Sequence, residues 1–126
     1  MTKFLLDTCV LIWYFEDSKR IAPVKALIAS EYSDVFISTV SLWEILTKIR
    51  KETLFLNFDK LQNFLKMCAF HELPITNNYL NAYKELPKIH NDPFDHMLLA
   101  QAITCPMRLI TGDKILAEYS SLVMVI

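Results

Sequence analysis

Four carboxylates are the side chains of this chain best suited to chemistry: Asp7, Glu44, Asp95 and Asp113. Asp7 closes the apolar run Lys3-Phe-Leu-Leu-Asp7, and Asp113 follows the apolar run Met107 to Thr111. Glu44 and Asp95 fall in the first turns of helical stretches. If the four converge at about 5 Å, each ionised pair repels by roughly 3 kcal/mol at an effective dielectric near 20. Protonating some of them relieves the repulsion, and so does a divalent cation among them. A donor set of oxygens alone, with no His or Cys at ligand spacing, points to Mg²⁺ or Mn²⁺ rather than Zn²⁺. Such an ion activates water for in-line attack on phosphorus, so the chemistry implied is phosphodiester hydrolysis.

Each acid also has a purely structural use. Asp7 or Thr8 can cap the helix that follows, and Asp113 can cap the stretch Lys114 to Tyr119. Asp92-Pro93-Phe94-Asp95 reads as an N-cap, a proline at the first helical position and an acid at the third. Glu44 is flanked by Leu42, Trp43, Ile45 and Leu46, so its helix is apolar around most of its girth. A carboxylate half-buried there needs a partner. Lys48, one turn on, can supply one, at about 0.2–0.5 kcal/mol if the pair lies on the surface.

The elements that must position these acids follow from the apolar pattern. Strands are expected at Lys3 to Asp7, Asp34 to Ser38, Phe70 to Leu73, Met107 to Thr111 and Leu122 to Val125. Helices are expected from Thr8 to Glu16, from Pro23 to Tyr32, from Val40 to Lys51 behind a Ser38 or Thr39 cap, and from Asp59 to Cys68. Three more are expected from Thr76 to Leu86, from Asp92-Pro93 to about Thr104, and from Asp113 to Tyr119. Strands alternate with helices, which predicts a parallel sheet covered on both faces in a three-layer α/β/α arrangement. In such sheets, sites form at the carboxyl ends of the strands.

With 126 residues, the chain reads as a single domain over 1–126. Apolar residues make up 53% and charged residues 21%, which excludes disorder. A net charge of −1 leaves a broad basic face unsupported, although a local one is compatible with it. A single glycine, Gly112, excludes glycine-rich phosphate loops. Cys9, Cys68 and Cys105 are far apart and odd in number, so they form neither a zinc spacing nor a disulfide framework. They read as reduced thiols of a cytoplasmic protein. The apolar run Phe4 to Phe15 is too short, and too broken by Asp7 and Thr8, to span a membrane.

Leu5-Leu-Asp-Thr8 with Leu11-Ile-Trp13, Ser41-Leu-Trp-Glu-Ile45, His90-Asn-Asp-Pro-Phe-Asp95 with Leu99-Ala-Gln-Ala102, and Thr111-Gly-Asp113 occur in this order. Together with Leu73-Pro-Ile-Thr76 and Leu86-Pro87, they make the whole chain resemble the PIN-domain family, and within it the VapC-type toxins of bacterial toxin–antitoxin pairs. The resemblance implies a PIN-like fold around a central parallel sheet of about five strands. It also implies a Mg²⁺-dependent endoribonuclease toxin, an RNA substrate, a cognate VapB-type antitoxin and a homodimer. The family's acidic cluster maps onto Asp7, Glu44, Asp95 and Asp113 as catalytic residues, with Asp7, Asp95 and Asp113 as metal ligands. Thr111 matches a hydroxyl residue that relatives place beside the metal. Two positions depart from the pattern. Cys9 stands where relatives often carry His, and His96 where they often carry Arg, which weakens a phosphate contact near neutral pH.

With Thr111 and His96, Lys48 is a candidate substrate contact. The basic stretch Lys48, Arg50, Lys51 reads either as a solvated helix end or as a contact for RNA phosphates. Trp13, Phe15, Trp43 and Phe94 are expected in the core, and His71 in a structural role. A separate metal site at His90, Asp92 and His96 is the lesser reading of those residues. Two other function classes compete. A phosphoacceptor receiver domain fits poorly, because Leu6 precedes Asp7 where a second acid belongs. A catalytically inactive PIN-fold module that binds RNA or protein is the main alternative. Metal-dependent RNA cleavage that disappears with Asp7→Asn separates it from the nuclease.

Overall fold

The computed structural model describes residues 1–88 and 91–126. Its five strands are β1 (Thr2–Leu6), β2 (Ser33–Ser38), β3 (His71–Leu73), β4 (Arg108–Thr111) and β5 (Val123–Val125). They form one sheet in the order β3-β2-β1-β4-β5, and every pair is parallel. The six helices are α1 (Thr8–Phe15), α2 (Lys25–Ala29), α3 (Thr39–Arg50), α4 (Phe58–Cys68), α5 (Asn77–Lys84) and α6 (Pro93–Thr104). Two 3-10 turns, Lys19–Ile21 and Lys114–Glu118, complete the described elements. No helix among the described residues is long and apolar enough to cross a membrane.

Two apolar cores sit on opposite faces of the sheet, which is the three-layer arrangement that the alternation of elements predicts. Phe4, Leu6, Val35, Ile37 and Ile110 face one core, with Val10, Leu11, Ile28, Ile45 and Leu61 from α1 to α4. Leu5 and Leu109 face the other, with Leu73, Val40 and the buried run Met97–Ala102 of α6. The period-two alternation along β1 and β4 sorts these residues between the layers. α6 is buried on every side over that run because β4, α3 and α5 all pack on it.

Several boundaries differ from the sequence-based expectation. The helix expected over Pro23 to Tyr32 is α-helical only at Lys25–Ala29. Its N-cap position is Val24, which makes no side-chain cap, so nothing local extends it. The short helix expected after Asp113 is present as a 3-10 helix over Lys114–Glu118. Glu44 is the sixth residue of α3 and therefore lies in its second turn, not its first. Trp43 is 60% exposed instead of lying in the core, because Val40, Ser41, Glu44 and Ile45 form the buried stripe of α3. It meets the half-buried Phe94 edge-on at 5.1 Å. His90, named with Asp92 and His96, lies outside the described residues.

With one glycine in the chain, left-handed backbone falls to other residues: Asp17, Glu52 and Ala69 all have φ between 52 and 60°. Ala69 ends α4 at φ 56°, ψ 35°, a conformation that costs an L-residue about 1–2 kcal/mol. Ala69→Gly should therefore raise stability by about 0.5–1 kcal/mol, after allowing for the greater freedom of glycine in the unfolded chain. Urea unfolding at equilibrium measures it; an unchanged or lower midpoint would contradict the assignment of strain to this cap.

Candidate functional site

Strand order reverses around β1: the chain passes from β1 through β2 to β3 on one side, then places β4 and β5 on the other. The crevice between β1 and β4 at their carboxyl ends is thus the switch point of the sheet. Asp7 follows β1 directly, and its backbone N–H donates to the Ile110 carbonyl at 3.0 Å. Thr111 ends β4, and Asp113 stands two residues further on. α3 starts at the carboxyl end of β2, and α6 starts behind the Asp92 cap. Glu44 and Asp95 ride on these two helices.

Each local feature that holds the acids has a cause in the adjacent sequence. Asp7 caps α1 by accepting from Cys9 N at 2.8 Å. Asp113 caps its 3-10 turn by accepting from Ile115 N at 3.0 Å. Asp92 accepts from Phe94 N at 2.9 Å and from Asp95 N at 3.4 Å, with Pro93 at the first helical position. Capping and membership of the acidic group are thus compatible, since each cap uses a carboxylate oxygen at a helix start that already points to this edge.

The side chains are tied to one another across the fold. Thr111 Oγ1 donates to Asp7 Oδ2 and accepts from Asp113 N at 3.1 Å, joining the two acids of the crevice. The Thr8 hydroxyl donates to Glu44 Oε1 at 2.7 Å and lies 3.1 Å from Ser41 Oγ. Lys48 Nζ pairs with Glu44 Oε2 at 2.8 Å, as the spacing of four predicts. Asp7, Thr8, Ser41, Glu44 and Thr111 are all buried. Ser41 and Thr8 stand in the motifs quoted from the sequence, Thr8 also as a possible cap, but neither is named there as a site residue. The available signal for Ser41 is its place three residues before Glu44, on the same helix face.

Electrostatics bring Asp95 into the group. Its carboxyl is pushed up from 3.8 to about 8 by burial first, then by the charges of Asp7, Asp92, Glu44 and Asp113. Burial also raises Asp7, against hydrogen bonds from Cys9 and Thr111 that pull it down. Cys9 Sγ lies 2.9 Å from Asp7 Oδ1. Burial and the neighbouring Asp7 push the thiol up to about 12, so it stays protonated and donates. Lys48 is raised by its bond to Glu44.

The donor set is therefore all oxygen and strongly acidic, which suits a hard divalent cation such as Mg²⁺. Asp7, Asp95 and Asp113 are the ligands expected from the resemblance; both oxygens of Asp7 are bonded to Cys9 and Thr111, and both of Glu44 to Thr8 and Lys48. Among the described residues, no three His, Cys, Asp or Glu side chains stand in a ready metal-binding arrangement. His96 Nε2 is 2.9 Å from the Tyr119 hydroxyl, and Tyr83 stands edge-on to the ring at 6.0 Å. With Lys84, Lys88 and Asn91, His96 lines a cavity of about 280 Å³. Arg50 and Lys51 are exposed at the end of α3. His71 is exposed in β3, 3.5 Å from Asp34.

A family model described as PIN domain matches residues 4–122. A search among curated proteins finds no significant match. Among solved structures, a chain of VapBC2 from Rickettsia felis, bound to a DNA fragment from their promoter, superposes with TM-score 0.68 at 15% identity, covering 99% of this chain and 98% of its own. A toxin–antitoxin complex from Klebsiella pneumoniae gives TM-score 0.68 at 20% identity, over 96% and 95%. FitAcB from Neisseria gonorrhoeae gives 0.65 at 20% identity, over 96% of each chain.

Two measurements test the site. Asp95 binds its proton more tightly when folded, so its stabilising contribution is full below pH 3.8 and is lost as pH rises through about 8. In chelator, the melting temperature should fall between pH 5 and pH 8.5, by on the order of 5 °C. Asp95→Asn should flatten that fall, and an equal slope in the variant would remove Asp95 from the strained group. Separately, a Cβ at Gly112 would meet Trp13 Cη2 at 2.6 Å and Cζ3 at 3.2 Å. Gly112→Ala should cost about 1–3 kcal/mol by overpacking, read from urea unfolding, and a neutral result would mean that Trp13 moves freely.

Proposed function

The chain belongs to the PIN-domain family, and from that premise we propose that it is a Mg²⁺-dependent endoribonuclease that acts as the toxin of a VapBC-type toxin–antitoxin pair. The observation that carries this reading is the acidic group at the switch point, with Asp7 and Glu44 buried and the half-buried Asp95 raised to about 8 by partial burial and by four neighbouring carboxylates. Asp7, Asp95 and Asp113 would hold Mg²⁺, or Mn²⁺ in its place, and the ion when bound would supply an activated water and a positive charge at the scissile phosphate.

The protein's own groups prepare that chemistry. Cys9 N and Thr111 Oγ1 fix the two oxygens of Asp7 from opposite ends of the carboxylate. The hydroxyl of Thr111 also ties the backbone of Asp113 to Asp7, so the acids from β1 and β4 move as one unit. Thr8 and Lys48 orient Glu44, and Lys48 neutralises part of the negative field that would repel RNA. Lys48 is a candidate substrate contact by its charge, and His96 by its place beside Asp95.

The partners follow the same reading: RNA as substrate, a VapB-type antitoxin as inhibitor, a second copy of the chain as dimer partner, and the cytoplasm as the place of action. The likeness to a chain of a toxin–antitoxin complex supports the antitoxin. The exposed Trp43, Leu46, Ile75 and Leu80 offer apolar surface for association. The competing reading is a catalytically inactive PIN-fold module that binds RNA or protein. One observation favours it: both oxygens of Asp7 and both of Glu44 are already bonded within the protein.

Cleavage of total RNA by the purified protein separates the two. Cleavage should require Mg²⁺ or Mn²⁺, stop in chelator and be abolished by Asp7→Asn or Asp95→Asn. Thr111→Val should retain the fold and lower activity about 10–100-fold, as for a group that orients a metal ligand. RNA left intact by wild-type protein at all Mg²⁺ concentrations would favour the inactive module.

A further inference from the structure

A site of four carboxylates on a chain of net charge −1 repels the RNA it is to cut, so a cation must lie near it. Lys48 is committed to Glu44. The position where relatives often carry Arg holds His96, whose ring engages Tyr119. Lys114, next to Asp113, is exposed on a flexible stem.

Arg20 is different. It belongs to the 3-10 turn Lys19–Ile21, which the Ser18 side chain caps by accepting from Arg20 N at 3.2 Å. The guanidinium carbon stands 4.2 Å from the centre of the Trp13 ring. The outer edge of that same ring packs on Gly112, so closely that a Cβ there would lie 2.6 Å from it. Gly112 separates Thr111 from Asp113. Arg20 is thus one aromatic ring away from the loop that carries two residues of the site. Among the described residues, no carboxylate pairs with it.

A guanidinium stacked on an indole uses its face and leaves its N–H edge available, and that planar fork matches a phosphate. Stacking also fixes the side chain in advance, so less freedom is lost on binding. We propose that Arg20, held on Trp13, is a phosphate-binding position for single-stranded RNA, taking a backbone phosphate that flanks the scissile bond. This rests on the ribonuclease reading and adds a residue to it. It also accounts for the absence of glycine-rich or broadly basic phosphate recognition in the sequence: one placed Arg, rather than a basic face, orients the strand. The chain's single glycine then has a specific use, since a larger residue at 112 would push Trp13, and Arg20 with it, away from the site loop.

The test measures binding of a short labelled single-stranded RNA of mixed sequence across a salt series, in protein carrying Asp7→Asn so that the RNA survives. Each lost phosphate contact on a single strand lowers the slope of log affinity against log salt by about 0.7. Arg20→Gln should weaken binding several-fold and reduce the slope by that amount, with no change in melting temperature. Arg20→Lys should recover the slope but not the full affinity, because it restores the charge without the fork. An unchanged slope in Arg20→Gln overturns the proposal, and so does weaker binding with the slope intact, which marks a structural role. Cleavage by wild-type protein is measured alongside. If RNA is cut and the Arg20→Gln slope is unchanged, only the Arg20 assignment falls. If RNA is neither cut nor bound, the ribonuclease reading falls with it.

Discussion

Parallel pairing of β1 with both β2 and β4 is the constraint from which the rest of the site follows. Because neighbouring strands run the same way, each strand's carboxyl end, and the start of the segment after it, lies at one edge. Asp7, Thr111 and Asp113 reach that edge from β1 and β4, and α3 carries Glu44 there from β2. α6 runs back to β4 through a short connection, so its first turn, with Asp95, starts at the same place. Reversing one strand would send its acid to the far side of the sheet.

The same edge sets a balance between stability and charge. Helix starts favour acids, which lets Asp7, Asp92 and Asp113 satisfy backbone N–H groups. Collecting those acids in one partly buried place works against them, and Asp95 carries the effect most visibly, raised to about 8. Hydroxyls and one ammonium offset part of the cost: Thr111 on Asp7, Thr8 and Lys48 on Glu44. The arrangement is that of a site kept under electrostatic tension by a well-packed frame, with buried apolar cores on both faces of the sheet.

Contacts between aromatic rings and the site loop add a second layer of positioning. Trp13, one turn along α1 from Cys9, closes on Gly112 and carries Arg20 on its ring. Phe94 and Trp43 meet between the starts of α6 and α3, the helices that bear Asp95 and Glu44. These contacts join segments that the backbone ladder does not connect.

Short-range physics was legible in the residues themselves. The alternation of strands and helices, the Asp92-Pro93 start of α6, the Ser38 cap and the Glu44–Lys48 pair each depend on neighbours within four positions or on a local apolar period. The resemblance carried by the acidic motifs extended that reading to the fold and to the candidate residues. The tertiary structure decided what depends on register between distant segments. The Thr8–Glu44 bond spans 36 positions and the Thr111–Asp7 bond 104, and neither exists until β1 has paired with β4 and α3 has packed over α1. The exposure of Trp43, the shortness of α2 and the stack of Arg20 on Trp13 against Gly112 were likewise hidden. Composition and periodicity fix how much apolar surface an element must bury. Which side chain of that element meets which partner is set by how the layers dock.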